Sequence, residues 1–287
     1  AGLDVERVHA NVLDPESLLA SCDGVDTVHH LAAYISTEEH EYERMFAINA
    51  MGTKNLIDAC LKTGVKRLVH CSSIHALSHH PNDVPVDETR ALAIDAKHMA
   101  YDRTKALAEQ FVLEGTQRGL DAVIVNPVGV LGPHDFEVSQ AGEMLLNLTH
   151  QEMPGLIGSG FYWVDVRDVA LGHIGAEQKG RCGERYILHG QYAKIAEIAQ
   201  WVERFTGAKP PMMTAPIWLA YAVAPFFEAW ARRSGKRPLF TRNAVTVLKC
   251  HQQINSDKAA REFGFSPRPL EETIHDALQW FSENGHI

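Results

Sequence analysis

Tyr101 and Lys105 lie four residues apart in Met99-Ala-Tyr-Asp-Arg-Thr-Lys-Ala-Leu-Ala-Glu109, a stretch rich in good helix formers, and neither Gly nor Pro occurs from Lys97 to Glu114. Residues four apart share a helix face, so the phenol and the ammonium point the same way. A free phenol titrates near ~10 and is a poor acid or base at neutral pH, but a cation held beside it favours the phenolate. Of the seven Tyr, only Tyr101 has Lys four residues on. The spacing describes a proton-transfer device. It equally describes an exposed Tyr and Lys on a solvated helix, and the surrounding elements must decide.

The 287-residue chain is 45% hydrophobic and 22% charged, which is the composition of a globular protein of one large or two modest domains. A net charge of -9 without a long basic run argues against nucleic acid or an anionic membrane as main partner. Five scattered Cys, an odd number with no C-x-x-C, argue against a disulfide framework and point to a reducing cytoplasm. The most apolar run, Ala215 to Phe227, contains Pro225 and is too short to span a bilayer, so no integral membrane segment is expected. His75, His79 and His80 fall in one loop region without the Cys or carboxylate spacing of a metal site, and no metal is expected.

Asp4 to Ala10 alternates and predicts a strand, and Asp14-Pro15-Glu16 predicts a helix start. Asp26 to Ala33 predicts a buried strand ending in small residues, Glu43 to Lys62 a helix closed by Gly64, and Arg67 to Ser73 a strand ending in two hydroxyls. The helix of the Tyr-Lys pair runs to about Arg118, and Ala122 to Pro127 forms another strand. Strand and helix in alternation predict a parallel sheet with right-handed crossovers, whose ligands bind at the strands' carboxyl ends. Beyond Pro133 come a helix from Val138 to His150, a loop from Met153 to Gly160, a helix beginning within Trp163 to Ala170, and a final strand from Glu184 to His189. Asp165 and Asp168 read as capping carboxylates at that helix start. Further helices are predicted at 195–205, 217–233, 242–249, 256–263 and 270–281, with Trp218, Tyr221, Phe226, Phe227 and Trp230 read as core packing.

His30-Leu-Ala-Ala33, Asn49 with Gly52-Thr-Lys-Asn-Leu56, Ser72-Ser73, Tyr101-x-x-x-Lys105, Asn126-Pro127 with Gly132-Pro133, and Trp163 to Ala170 occur in that order. Together they resemble the extended short-chain dehydrogenase/reductase family, the NAD-dependent epimerase/dehydratases, over Val5 to Phe281. Asn126-Pro127 and Gly132-Pro-His-Asp-Phe136 are most similar to the dihydroflavonol-reductase-like branch. The resemblance implies that Tyr101 is the general acid/base, that Ser73 bonds the reacting carbonyl, and that Lys105 holds the nicotinamide ribose and lowers the phenol's pKa. It implies cofactor contacts from Asn11, Val12, Leu31, Ala32, Ala33, Ser72, Lys105, Asn126, Pro127 and Val128, and substrate contacts from Ile74, His75, His134 and Phe136.

The family opens on a Gly-rich turn, G-x-x-G-x-x-G, which this sequence does not contain, so its first strand corresponds to the family's third. The expectation is that the native reading frame carries tens of additional N-terminal residues; the alternative is a short chain that has lost dinucleotide binding. The predicted fold is α/β: a Rossmann-type doubly wound parallel sheet, N-terminally incomplete, over residues 1–133 and 163–189, with a mostly helical substrate-capping part over 134–162 and 190–287. The implied activity is NAD(P)-dependent hydride transfer between a ketone and an alcohol, on a small-molecule carbonyl compound. A nucleotide-sugar epimerase using the same triad is the alternative, dehydration ranks third because Ile74 and His75 stand where its added acid/base pair belongs, and a catalytically silent dinucleotide-fold binding protein is the alternative of another class. NAD or NADP is the implied cofactor, and a homodimer formed through the helices at 45–61 and 97–118 is implied by the resemblance.

Overall fold

Pro15 at the first helical position, with the Asp14 carboxylate accepting from Glu16 N at 3.1 Å, starts α1 (Pro15–Cys22). This is a computed structural model of the chain, and it describes residues 4–81, 84–224 and 253–287. β1 (Thr27–His30) follows, then α2 (Tyr42–Met45), which passes through a π-helical turn (Phe46–Met51) into α3 (Gly52–Thr63). Gly64 closes α3 in the left-handed region, at φ 76°. β2 (Arg67–Cys71), α4 (Ala100–Gln117) and β3 (Ala122–Pro127) complete the alternation. Every residue of β3 is buried, as its unbroken apolar run requires of a central parallel strand.

The remaining elements are β4 (Gly129–Leu131), α5 (Gln140–Thr149), β5 (Leu156–Ile157), β6 (Gly160–Asp165), α6 (Val166–Lys179), β7 (Arg185–Leu188), β8 (Gln191–Lys194), α7 (Ile195–Thr206), β9 (Thr214–Ala215), α8 (Asp257–Phe263) and α9 (Leu270–Glu283). Residues 217–224 are helical; the rest of the helix predicted there and the one predicted at 242–249 lie outside the described residues.

The main sheet has the order β1-β2-β3-β7. β1 and β2 run parallel with His30 opposite His70, and β2 and β3 run parallel with Cys71 opposite Val125. A second sheet has the order β4-β6-β8, and β5 pairs with β9. The chain divides into two compact units, one of Ala1–Ser78, Arg90–Asn126 and His173–Tyr186, the other of His79–Thr89, Pro127–Gly172 and Ile187–Ile287. The first is built on Leu18, Leu56, Ile57, Leu68, Val112 and Ile124, the second on Leu145, Trp163, Ile198, Val202, Ile274 and Phe281. No helix among the described residues is long and apolar enough to cross a membrane.

Several sequence expectations change. Trp218 and Tyr221, expected as core packing, are 69% and 40% exposed, and Phe226, Phe227 and Trp230 lie outside the described residues. Asp4 to Ala10 is not a strand: Val5 and Val8 are each 61% exposed, and no strand among the described residues gives the segment the ladder partners its backbone needs. Trp163, Val164 and Asp165 belong to β6, opposite Gly129, Val130 and Leu131, and the helix starts only at Val166. The strand at Arg185–Leu188 is followed by β8 and β9, so it is not the last.

Asp165 does cap α6, accepting from Arg167 N at 2.7 Å, while both its oxygens also receive the Arg167 guanidinium. Those bonds hold its carboxyl below the usual range against the opposing effect of burial. Asp168 instead binds Arg268, through the backbone N at 2.8 Å and through the guanidinium.

Candidate active site

Past its last residue, Cys71, β2 keeps its register for one more bond, Ser72 N to Val125 O at 2.8 Å, which delivers both hydroxyls to the carboxyl ends of the parallel strands. Ser73 then caps a single 3-10 turn (Ile74–Ala76), its Oγ accepting from His75 N at 3.2 Å. An oxygen that accepts there keeps its own proton to give. Tyr101, in the first turn of α4, places its phenol near enough to the Ser73 hydroxyl for the two to interact. Burial pushes that phenol above its ordinary value, the nearby Ser73 hydroxyl pulls it back, and Cys71 and Asp102 push it up further.

Lys105 lies one turn along the same face, is 2% exposed, and donates from Nζ to Cys71 O at 2.8 Å. Burial draws its ammonium below the usual lysine value, against the opposing influence of Cys71 and Glu109. In this arrangement the ammonium ties α4 to the end of β2 with one of its three donors.

Four residues of the site carry no assignment in the sequence reading. Glu109 continues the Tyr101, Lys105 face by another turn; it is wholly buried, accepts from Asn126 Nδ2 at 2.5 Å and from Arg185 Nε at 2.5 Å. The i, i+4, i+8 spacing is the signal that finds it. Asn49, on the π-helical turn, accepts from Tyr34 N at 2.7 Å and donates to Tyr34 O at 2.9 Å and Thr104 Oγ1 at 3.2 Å, so it pins the chain after β1 to α4. Asp102 is 2% exposed and faces His75. Arg185, on β7, has no local signal at all.

The other expected site residues fall into three groups. Leu31, Ala32 and Ala33 are exposed just past the carboxyl end of β1, and Ser72 Oγ at the end of β2 is buried without a hydrogen-bond partner. Val12 is half-buried beside α3, where Asn55 Nδ2 donates to its carbonyl at 3.0 Å, and Asn11 turns its side chain back onto Leu13 N at 3.0 Å. Asn126 is turned inward: its amide bonds Ser73 O at 2.9 Å as well as Glu109. Val128 and Ile74 are buried, at 6% and 1%. Pro127, Val128, His134 and Phe136 belong to the second unit, where Phe136 is 72% exposed, stacks on His134 and meets Trp280 edge-on.

A bare, small-residue strand end, an unspent hydroxyl and a lysine at the carboxyl edge of a parallel sheet suit the ribose and nicotinamide end of a dinucleotide. Residues 2–188 match the NAD dependent epimerase/dehydratase family. The chain is 33% identical to sterol demethylase protein B of Methylococcus capsulatus, over 100% of this chain and 88% of that one. It is 30% identical to a putative dihydroflavonol 4-reductase of Synechocystis sp., over 96% and 81%. Among solved structures, gox2253 superposes with a TM-score of 0.86 at 34% identity, covering 100% of this chain and 87% of that chain. The chain belongs to the NAD-dependent epimerase/dehydratase family of extended short-chain dehydrogenases/reductases. It is an enzyme of that family, and its cofactor class is NAD or NADP.

Proposed function

We propose that the protein catalyses NAD(P)-dependent hydride transfer between a ketone and an alcohol on a small molecule, with Tyr101 as acid/base. The observation that carries this reading is the placement of the Ser73 hydroxyl, which accepts from His75 N, beside the Tyr101 phenol. It leaves one hydroxyl proton and one phenolic proton side by side at the carboxyl end of β2, where a reacting oxygen can take both. The cofactor, when bound, supplies or accepts the hydride.

In the direction of reduction, Ser73 donates a hydrogen bond to the carbonyl oxygen and Tyr101 gives it the proton, so negative charge on that oxygen meets two fixed donors. In oxidation the phenol oxygen takes the alcohol's proton. Lys105 holds the nicotinamide ribose and keeps the end of β2 in place. Carbonyl reduction is favoured over epimerisation by the Synechocystis relative and by Asn126-Pro127 with Gly132-Pro133. By resemblance the protein pairs with a second copy through the helices at 45–61 and 97–118, which light scattering on the native protein checks.

The reading is tested by titrating the native protein with NADH and NADPH and screening ketones beside nucleotide sugars for change in cofactor absorbance. Turnover lost by a factor of about a hundred or more in Tyr101→Phe, with cofactor binding kept, supports the assignment. Equal turnover in that variant refutes it.

A further inference from the structure

Asp102 follows Tyr101 directly on α4, and its side chain is buried. A carboxylate out of water is costly unless something compensates it. His75 stands against it, with Nδ1 at 3.2 Å from Asp102 Oδ1, within ion-pair distance but with the N–H directed off the oxygen. The same residue reaches the other two partners of the site. Its backbone N–H donates to Ser73 Oγ, and its ring lies edge-on to that of Tyr101, with centroids 6.0 Å apart and planes at 65°.

His75 therefore sits at the meeting point of hydroxyl, phenol and carboxylate. The turn that carries it has only three residues, with Ala76 N bonded to Ser73 O and Leu77 N to Ile74 O, which is little to hold a hydroxyl steady. Asn126 fixes the carbonyl of Ser73, but it does nothing for the turn beyond.

We propose that His75 and Asp102 are a positioning pair, which ties the turn after β2 to α4 and so holds Ser73 Oγ as acceptor of the His75 N–H, leaving its proton for Tyr101 and the substrate oxygen. Asp102 has a second effect. Its charge, one residue from Tyr101, disfavours the phenolate. The inference rests on the acid/base reading of Tyr101 and adds a residue pair that the Tyr-Lys spacing does not contain.

The first test needs no substrate. In native protein labelled with 15N-histidine, the His75 signals, assigned by their loss in His75→Asn, should show the neutral ring protonated on Nδ1, the nitrogen facing Asp102. In Asp102→Ala the proton should move to Nε2. A ring protonated on Nε2 in the parent protein overturns the pair without any variant having to fold.

The second test separates positioning from mere structure. With NADH or NADPH and a ketone that the parent reduces, His75→Ala and Asp102→Ala should each lower kcat by about tenfold or more, with KM within about threefold and the double variant no slower than either single one. His75→Asn, whose amide nitrogen takes the place of Nδ1, should restore kcat to within about threefold of the parent. Losses that multiply in the double variant, or a His75→Asn enzyme as slow as His75→Ala, overturn the proposal. Unchanged turnover in Tyr101→Phe refutes the acid/base reading and the catalytic part of the pair's role with it, while the imidazole signals still report the pair.

Discussion

The side-chain amide of Asn126 donates to the backbone carbonyl of Ser73 at 2.9 Å and to Glu109 at 2.5 Å, so the end of β3 fixes the end of β2 and the middle of α4 at once. Asn126→Ala removes both bonds and strips Glu109 of one donor. Ser73 O keeps Ala76 N and Glu109 keeps Arg185, so the loss is that of two net hydrogen bonds, about 0.5–1.5 kcal/mol for the one to the carbonyl and about 1.5–3 kcal/mol for the one to the carboxylate. The variant should lose about 2–4 kcal/mol of stability and also turnover, because Ser73 loses its backbone anchor. Chemical denaturation at neutral pH and kcat on the same preparation check this. A variant of parental stability would remove Asn126 from the positioning of Ser73.

Glu109 also receives Arg185 Nε, and its own side chain is wholly out of water. Breaking a buried pair from one side leaves an uncompensated charge, at a cost of about 3–5 kcal/mol. Arg185→Leu should therefore be more destabilising than Glu109→Gln, which keeps an acceptor and carries no charge. Urea midpoints of the two variants decide the order. Equal midpoints would show that the carboxylate finds compensation elsewhere.

The sheet was legible because its strands are short apolar runs with hydroxyl or small residues at their carboxyl ends, and nothing helical fits Ala122 to Val125. Ser73, Tyr101 and Lys105 were legible as an ordered set. Trp163 to Asp165 was misread because three residues before an acidic turn suit a strand end as well as a helix start; only the ladder to Gly129–Leu131 separates them. The partners of the site were hidden for another reason. Glu109 meets Arg185 across 76 residues, and Asp102 meets His75 through folding alone, so no local spacing announces either pair. Asn126 was expected at the cofactor, and the competing demand that it meets, satisfying Ser73 O and a buried carboxylate, appears only in three dimensions.

Three buried histidines of the first unit set an acid limit on stability. Burial lowers His30 to about 3 and His173 to about 4, and draws His70 well down too, from an unfolded value near 6.5. Below that value the unfolded chain binds protons that the fold refuses, so stability is fully present above pH 6.5 and is lost as pH falls towards 4. Each histidine contributes a slope of about 1.4 kcal/mol per pH unit, or about 2 kcal/mol by pH 5. His70 has no hydrogen-bond partner for either ring nitrogen, and its ring lies tilted against that of His30 with centroids 5.2 Å apart. His70→Phe should therefore reduce the drop in Tm between pH 7.5 and pH 5. An identical drop in the variant would rule out His70 as a contributor.

Gly52, at the head of α3, is where helix propensity and packing disagree. A Cβ there would lie 2.8 Å from Val12 Cγ2 and 2.9 Å from Val12 Cβ, closer than real atoms approach. Propensity alone says that Gly52→Ala should stabilise the helix by about 1 kcal/mol. The clash must instead displace Val12, whose carbonyl is held by Asn55 one turn further along α3, and overpacking of this kind costs about 1–3 kcal/mol. Because Asn11 and Val12 are among the residues expected to contact the cofactor, the displaced segment should also weaken NAD(P)H binding. A double-mutant cycle with Val12→Ala separates the two contributions: shortening Val12 should recover both Tm and the dissociation constant of Gly52→Ala. If Gly52→Ala is as stable as the parent and binds NAD(P)H equally well, the turn at Val12 yields without consequence and has no part in the site.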